Sequence, residues 1–149
     1  MPSKQAHVAA AIENQKAIEF LCGRLEDFPG WVATIAFYKA LHIVEALLAG
    51  DPAIGDGHTD DHKARNHLLK STNRYKHIWK NYFPLWQASL VARYLRDDDG
   101  GVDCEVFSRF MPPEVVRRLL LGHHLHQIEC TVANLLGDPN FLQTGPNQG

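Results

Sequence analysis

WVATIAFYKALHIVEALLA, at residues 31–49, is the stretch that decides the fold. Alanine, leucine, isoleucine and valine fill it, which predicts the central and most buried helix of an all-α protein. The Gly-Asp-Pro sequence at 50–52 ends this helix. Lys39, His42 and Glu45 interrupt the apolar run, and a lipid-facing span of about 20 residues rarely tolerates such groups. We therefore expect a core helix and no membrane span.

Apolar residues at helical spacing on both sides of this stretch predict further helices. Their expected ranges are about 4–24, 59–70 with Thr59 as N-cap, 73–95, and from Pro112 and Pro113 to Leu135. Pro84 should kink the 73–95 helix or start a new helix there, because proline removes a backbone hydrogen bond and clashes with the preceding turn. The prediction is one domain over 1–137, an up-and-down antiparallel bundle of four to five helices. Residues 138–149 are predicted to be a flexible tail.

The composition is that of an ordinary globular domain. The 149 residues suit one core, with 45% hydrophobic and 21% charged residues. A formal charge of −2 disfavours a non-specific nucleic-acid binder, although nine histidines allow a local positive site as the pH falls. Three cysteines without metal-binding spacing predict buried, reduced thiols. The N-terminus lacks the apolar run of a secretory signal, so we expect a cytoplasmic protein.

Polar side chains share one face of the central helix. Tyr38, His42 and Glu45 follow one another at steps of four and three residues, and this spacing places side chains on the same side of a helix. Buried polar groups need partners. The histidine and the glutamate either satisfy each other in a structural network or line a cleft as acid, base or metal ligand.

A second polar face opens the third predicted helix. His58, His62 and Arg65 lie four and three residues apart, so their side chains point in one direction. Two histidines at this spacing can bind a metal, and a histidine beside an arginine can serve phosphate chemistry, but exposed helix starts also collect histidines without a function. A metal-ligand set of His42, Glu45, His58 and His62 is complete only if the second and third helices pack side by side.

A third polar face lies near the end of the 73–95 helix. Ser89 and Arg93 are four residues apart, and Tyr94 follows. Arg93 stands among apolar residues, where a guanidinium needs a carboxylate or a bound anion. Glu45 is its expected protein partner, and phosphate is its expected ligand.

The order of these motifs resembles that of a known family. The resemblance is carried by W-x(5)-FY-x-A-LH-x-VEA-x-LA at 31–49, H-x(3)-H-x(2)-R at 58–65 and S-x(2)-ARY at 89–94. These segments are similar to a bacterial subgroup of HEPN-like (higher eukaryotes and prokaryotes nucleotide-binding) proteins, and the likeness covers residues 7–136. It implies a bundle of four or five antiparallel helices, commonly a homodimer, with a polar cleft between the middle helices.

The same resemblance implies a range of activities. Many HEPN proteins are metal-independent ribonucleases or partners of nucleotidyltransferases, and they act through an arginine followed closely by a histidine. No histidine follows Arg93 at that distance. Arg118 and His123 have the spacing, but they lie in the terminal helix, whose basic residues are typical of a solvated face.

The leading hypothesis is a bundle that binds nucleotide or RNA phosphate, and a ribonuclease if it is catalytic. His62 would be the general base, and Arg65 or Arg93 would stabilise charge on the phosphate. The other residues assigned to the cleft are His42, Glu45, His58, Ser89, Tyr38 and Tyr94. Two alternatives stay open: a non-catalytic binding or scaffold module of a toxin–antitoxin or defence system, partnered by a nucleotidyltransferase or an antitoxin, and a bundle that binds a transition metal.

Overall fold

The computed structural model describes residues 2–54, 61–96 and 106–143. Within these ranges the regular structure is helical and no β-strand occurs. The helices are α1 (Lys4–Cys22), α2 (Pro29–Ala49), α3 (His62–Ser71), α4 (Lys76–Tyr94), α5 (Phe107–Phe110), α6 (Pro113–Val115) and α7 (His126–Leu136), with a π-helix, Val116–Leu125, between α6 and α7. Short 3₁₀ turns cover Pro52–Ile54 and Asn73–Tyr75. The prediction of an all-α bundle is confirmed.

The first two helices form an antiparallel pair. His7, near the start of α1, contacts His42, near the end of α2, whereas Gln15 contacts Lys39. α2 begins at Pro29, just before the stretch that the apolar pattern marks. Proline is well suited to this position, because a helix start leaves its first N–H groups unpaired and proline has none.

α4 is a single helix that contains Pro84, so the predicted start of a new helix at that proline is wrong. Tyr82, two residues earlier, is fully buried, and packing of this kind outweighs the roughly 3 kcal/mol that an internal proline costs. α4 runs antiparallel to α2, since Gly30 lies against Ala92 near the end of α4 and Phe37 lies against Tyr82 nearer its start.

α3 begins at His62, later than the sequence predicts. Asp61 is the N-cap, and its Oδ1 accepts a hydrogen bond of 2.7 Å from the backbone N–H of Ala64. Thr59, the predicted N-cap, lies outside the described residues. An aspartate in extended backbone satisfies the first free N–H groups of the helix, so the helix starts directly after Asp61.

The core is one connected cluster that extends from Ala11 to Phe141. α2 contributes more buried residues than any other described helix, and it packs against α1, α4, the π-helix and α7. α2 is also long and apolar enough to cross a membrane, but 78% of its most apolar window is buried inside the protein. That burial is typical of the core helix of a soluble protein. Location in the cytoplasm stays a prediction.

Lys39 is the one lysine buried in this core among the described residues, and it is 5% exposed. Its ammonium group donates to Gln15 Oε1 at 2.6 Å and to Glu129 Oε1 at 2.5 Å. A buried charge is tolerated when it is paired and hydrogen-bonded in this way. The network therefore links α1, α2 and α7, and it lies on the side of α2 from which His42 also contacts α1.

The packed part of the chain extends beyond the boundary that the sequence predicts. Gly137, with φ 66°, ends α7 at the expected place. Phe141, in the predicted tail, is nevertheless 8% exposed and belongs to the core. The packed part of the chain thus passes the predicted boundary at residue 137 and reaches at least Phe141, while residues 144–149 lie outside the described ranges. The expectation of buried thiols is wrong for Cys130, which is exposed, and Cys22 is only half-buried. Cys104 lies outside the described residues.

Candidate functional site

Polar faces predicted on three helices meet where α2, α3 and α4 come together. α2 and α4 pack along each other, and α3 packs against α4. α3 reaches α2 through side chains: Arg65 bonds Glu45, and the centroid of the His62 ring lies 5.8 Å from that of the Phe37 ring. The described members of the three faces therefore share one region between the middle helices.

A buried ion pair forms the centre of this region. Arg65 Nε lies 2.5 Å from Glu45 Oε1, and the two residues are 6% and 1% exposed. The same guanidinium lies 3.2 Å from His62 Nδ1 through its Nη1. The expected pairing of Glu45 with Arg93 is wrong, because Arg65 of α3 binds that carboxylate instead.

Tyr82 of α4 lies beside the ion pair and is fully buried. Burial raises the pKa of its hydroxyl well above the ordinary value, and the nearby Arg65 charge, which acts in the other direction, does not offset this effect. The hydroxyl has no hydrogen-bond partner of good geometry among the described residues. Tyr82 is therefore a neutral phenol next to two charges. No spacing pattern in the sequence marks it as a site residue.

His62 is half-buried and close to two arginines. Burial lowers the pKa of its imidazole, and the charges of Arg65 and Arg93 lower it further, while Asp61 acts in the opposite direction. A neutral imidazole can accept a proton, as a general base must. Because a guanidinium only donates, the Arg65 contact makes Nδ1 the acceptor of His62 and places the proton of the neutral ring on Nε2. A general base would therefore have to act through Nδ1, and this role stays a prediction.

His42 forms a pair with a histidine of α1. Its Nδ1 lies 3.1 Å from Nδ1 of His7, which is 6% exposed. One of these nitrogens carries a proton and donates a hydrogen bond, and the other accepts that bond. One ring is therefore protonated at Nδ1 and the other is not. Burial, followed by His7 and to a smaller extent Arg65, lowers the pKa of His42, while Glu45 raises it. His7 is a site neighbour that the sequence does not reveal, because Ala10 and Ala11 follow it one turn later and no spaced polar motif includes it.

Arg93 extends the cluster towards the end of α4. Its Nε donates to the Ser89 carbonyl oxygen at 3.1 Å, its Nη2 to Ser89 Oγ at 3.3 Å and its Nη1 to Tyr38 Oη at 3.4 Å. The guanidinium also lies 5.2 Å from the centre of the Tyr94 ring, which is on a residue 62% exposed. Ser89, Tyr38 and Tyr94 are therefore all in contact with Arg93, and their place in a ligand cleft stays a prediction.

Arg93 is half-buried and has no carboxylate partner within 2–54, 61–96 and 106–143. It also lines an open cavity of about 500 Å³ at the start of α2 and the end of α4. The ion pair of Glu45 and Arg65 is neutral as a whole, whereas Arg93 has no paired carboxylate, although Glu26 and Asp27 line the same cavity. Such a site can hold an anion.

The alternative metal set of His42, Glu45, His58 and His62 gains no support from the described residues. No three histidine, cysteine or acidic side chains among them are placed to hold one metal ion. Glu45 binds Arg65, so a metal would have to displace a guanidinium. His58 lies outside the described residues.

Arg118 and His123, which have the arginine–histidine spacing of the resemblance, are both exposed on the π-helix and contact none of the cluster residues. The neighbouring His124 is half-buried instead, and its Nδ1 lies 3.0 Å from Asn81 Oδ1. Burial lowers the pKa of His124, and the charge of His123 adds to this. The π-helix therefore carries a separate polar contact and does not complete the cleft.

No family model, curated protein or solved structure matches the chain. The resemblance to HEPN-like proteins consequently stays an interpretation of the three motifs.

The stability of the protein should fall as the pH drops below about 6.5, the ordinary pKa of histidine. The folded protein lowers the pKa of His42, His62 and His124. The unfolded chain therefore binds more protons below that pH, and protonation favours unfolding. Urea midpoints measured between pH 7.5 and 5.5 should decrease towards the acid end.

Replacing both His42 and His62 by glutamine should flatten this pH dependence. The matched control is His67→Gln, on the exposed side of α3, which should keep the wild-type profile. A double variant with the full wild-type slope would show that these imidazoles are not the groups responsible.

Proposed function

We propose that the chain is a HEPN-like bundle that binds the phosphate of a nucleotide or RNA at Arg93 and cleaves RNA with His62 as general base. The observation that carries the proposal is the half-buried guanidinium of Arg93, which has no carboxylate partner among the described residues. Three sequence motifs resemble that family, and they supply the residues of the cluster. Arg65, by contrast, is neutralised by Glu45.

Phosphate is the anion that fits Arg93 best. A guanidinium presents its N–H donors in a planar fork that matches two phosphate oxygens. The hydrogen bonds of 3.3 and 3.4 Å from its two Nη atoms to Ser89 and Tyr38 are long, so an anion would compete with weak contacts. The Tyr38 hydroxyl can then donate to the same anion, whereas the Ser89 hydroxyl already donates to the Trp86 carbonyl oxygen at 2.7 Å.

Cleavage would follow from the neutral state of His62. Its imidazole would take the proton of a ribose 2′-hydroxyl, whose oxygen then attacks the adjacent phosphorus. The bond from phosphorus to the 5′ oxygen breaks, and that oxygen takes a proton from water. The hydroxide that remains takes the proton from His62, which restores the neutral imidazole. The products are a 2′,3′-cyclic phosphate and a 5′-hydroxyl end. Arg93 would stabilise the negative charge that builds up on the phosphate oxygens. The Arg65 N–H that contacts Nδ1 of His62 would have to give way to the incoming proton.

Labelled single-stranded RNA provides the test. We expect Arg93→Ala to weaken binding by about 10- to 100-fold, which corresponds to the loss of hydrogen bonds to a charged group. His62→Gln should abolish cleavage. The dissociation constant for RNA should change by less than about threefold, because a change of that size corresponds to less free energy than one hydrogen bond contributes. Fluorescence anisotropy measures the first effect, and gel analysis of RNA fragments measures the second.

Arg118→Ala is the matched control for charge, since Arg118 is exposed on the π-helix. It should bind and cleave like the wild type, and all variants should keep the helical circular dichroism spectrum. Equal RNA affinity in the Arg93→Ala and wild-type proteins would remove the proposed phosphate site. Loss of cleavage in Arg118→Ala alone would transfer the catalytic role to the terminal helix.

A second candidate is the non-catalytic binding module. It is favoured by large apolar side chains on the surface, among them Phe20, which is 82% exposed, and Leu135, which is 43% exposed. A homodimer, a nucleotidyltransferase or an antitoxin would cover such groups. Sedimentation of the purified protein, alone and with the product of a neighbouring gene, distinguishes this candidate, which predicts a complex and no RNA cleavage.

A further inference from the structure

We infer that the cavity beside Arg93 holds the base of the bound nucleotide and that it selects guanine. The inference rests on the proposed function, because it places the phosphate of the same ligand on Arg93. It is carried by three groups that line one cavity: the guanidinium of Arg93, the exposed indole of Trp31 and the carboxylate of Glu26.

The cavity lies where the start of α2, the end of α4 and α5 meet. Its volume is about 500 Å³, within the range of about 300–1,000 Å³ that is usual for small-molecule sites. α5 packs against the start of α2, where Gly30 lies against Phe107 and Ala92. Phe107 thereby forms one wall, and Arg93 reaches the cavity from α4.

Two of the aromatic side chains that line this cavity are open to solvent. Trp31 is 65% exposed and Phe28 is 39% exposed, although they flank the first turn of the most buried helix. An exposed indole beside a cation is the arrangement by which proteins stack a nucleic-acid base while holding its phosphate. Stacking alone accepts every base, so the preference must come from a polar group.

Glu26 supplies that polar group. Its neighbour Asp27 is held by Arg24, whose Nε donates to Asp27 Oδ2 at 2.8 Å. Glu26 has no hydrogen-bond or ion-pair partner among the described residues, and it lines the cavity. An ionised carboxylate only accepts hydrogen bonds. Its complement is therefore a base edge with two adjacent donors.

Guanine is the base that has such an edge. Its N1–H and N2–H groups lie side by side and can bind both oxygens of one carboxylate. Adenine and cytosine each place an acceptor next to their amino group, and uracil places acceptors on both sides of its single N–H. These acceptors would face the Glu26 carboxylate and repel it. A guanine nucleotide can thus bind the Glu26 carboxylate with the edge of its base and the Arg93 guanidinium with its phosphate.

Calorimetric titration with inorganic phosphate, 5′-GMP, 5′-AMP and 5′-CMP tests the inference. We expect GMP to bind at least tenfold more tightly than phosphate and at least fivefold more tightly than AMP or CMP. Trp31→Ala should bring the affinity for GMP close to that for phosphate. Glu26→Gln should remove the preference for GMP over AMP and leave the affinity for phosphate unchanged or slightly higher.

Phe20→Ala is the matched control, since Phe20 is an exposed aromatic residue outside the cavity. It should leave all four titrations unchanged. Phosphate binding that depends on Arg93, with equal affinity for GMP and phosphate or with no effect of Trp31→Ala, would overturn the base site and leave the proposed function standing. Binding of none of the four ligands and of no RNA would instead refute the proposed function itself. A dimer that Trp31→Ala dissociates without changing nucleotide affinity would also overturn the base site, because a second copy would then cover the indole.

Discussion

Glu45→Ala is expected to lower the free energy of unfolding by about 3–5 kcal/mol, because it leaves the buried guanidinium of Arg65 without its counter-charge. Glu45 is 1% exposed and its Oε1 lies 2.5 Å from Arg65 Nε. Small domains are stable by only about 5–15 kcal/mol, so this single change removes a large share of the total. Urea denaturation followed by circular dichroism measures the loss.

The surface ion pair of Glu13 and Lys16 is the matched control for this prediction. Its side chains are 72% and 67% exposed, and pairs of that kind contribute less than about 1 kcal/mol. The double variant Glu45→Met with Arg65→Met removes both charges and should lose less stability than Glu45→Ala alone, since no buried charge is left unpaired. Equal stability of the Glu45→Ala and Glu13→Ala proteins would show that water reaches the Arg65 pair.

The same ion pair explains which arginine is open to a ligand. The carboxylate of Glu45 lies within reach of α3, so Arg65 is neutralised, and Arg93 stays without an acidic partner among the described residues. A substrate phosphate would then be attracted to the end of α4 and not to the centre of the bundle. His62 contacts Arg65, and the charges of both arginines lower the pKa of its imidazole.

The central helix can be predicted from the sequence because its signal is local. The apolar run at 31–49 needs no knowledge of its neighbours, since a helix that is apolar on most sides is buried wherever it packs. The first residue of a helix is harder to predict, because several residue types suit the cap positions. Pro29 and Asp61 both suit the first turn or the cap, but so does Thr59, and the pattern alone does not rank them.

The polar faces can be predicted, but their pairing cannot. Spacing within one helix places His42 with Glu45 and His62 with Arg65, and the structure confirms that these faces meet. Which arginine reaches Glu45 depends on how far α3 and α4 are shifted along α2. No local pattern encodes that shift, so the sequence favours Arg93 where the structure has Arg65.

Single residues that reach the site from outside the three polar faces cannot be recognised in the sequence. His7 comes from α1 and Tyr82 from the core side of α4, and neither belongs to a spaced motif. The π-helix is similarly hidden, because its apolar residues recur at intervals that also fit an α-helix. Such features follow from packing between helices, which a pattern along one helix does not contain.

Phe37→Ala is expected to cost about 3–5 kcal/mol of unfolding free energy, as large truncations of buried aromatic residues do. Phe37 is fully buried in α2, and its ring lies 5.4 Å from the rings of Tyr38 and Tyr82 and 5.8 Å from that of His62. The truncation would leave a cavity directly under two residues of the proposed site. Denaturation in urea should reveal the loss as a lower midpoint.

The matched control is Phe20→Ala, because Phe20 is the same residue type on the neighbouring helix and is 82% exposed. Its stability should stay within about 0.5 kcal/mol of the wild type. Phe37→Leu keeps most of the buried volume and should cost less than Phe37→Ala, yet it removes the ring against which His62 packs. A fall in RNA cleavage in the leucine variant, at a temperature where it stays folded, would show that the core of α2 positions His62. Equal urea midpoints for Phe37→Ala and Phe20→Ala would contradict the placement of α2 at the centre of the bundle.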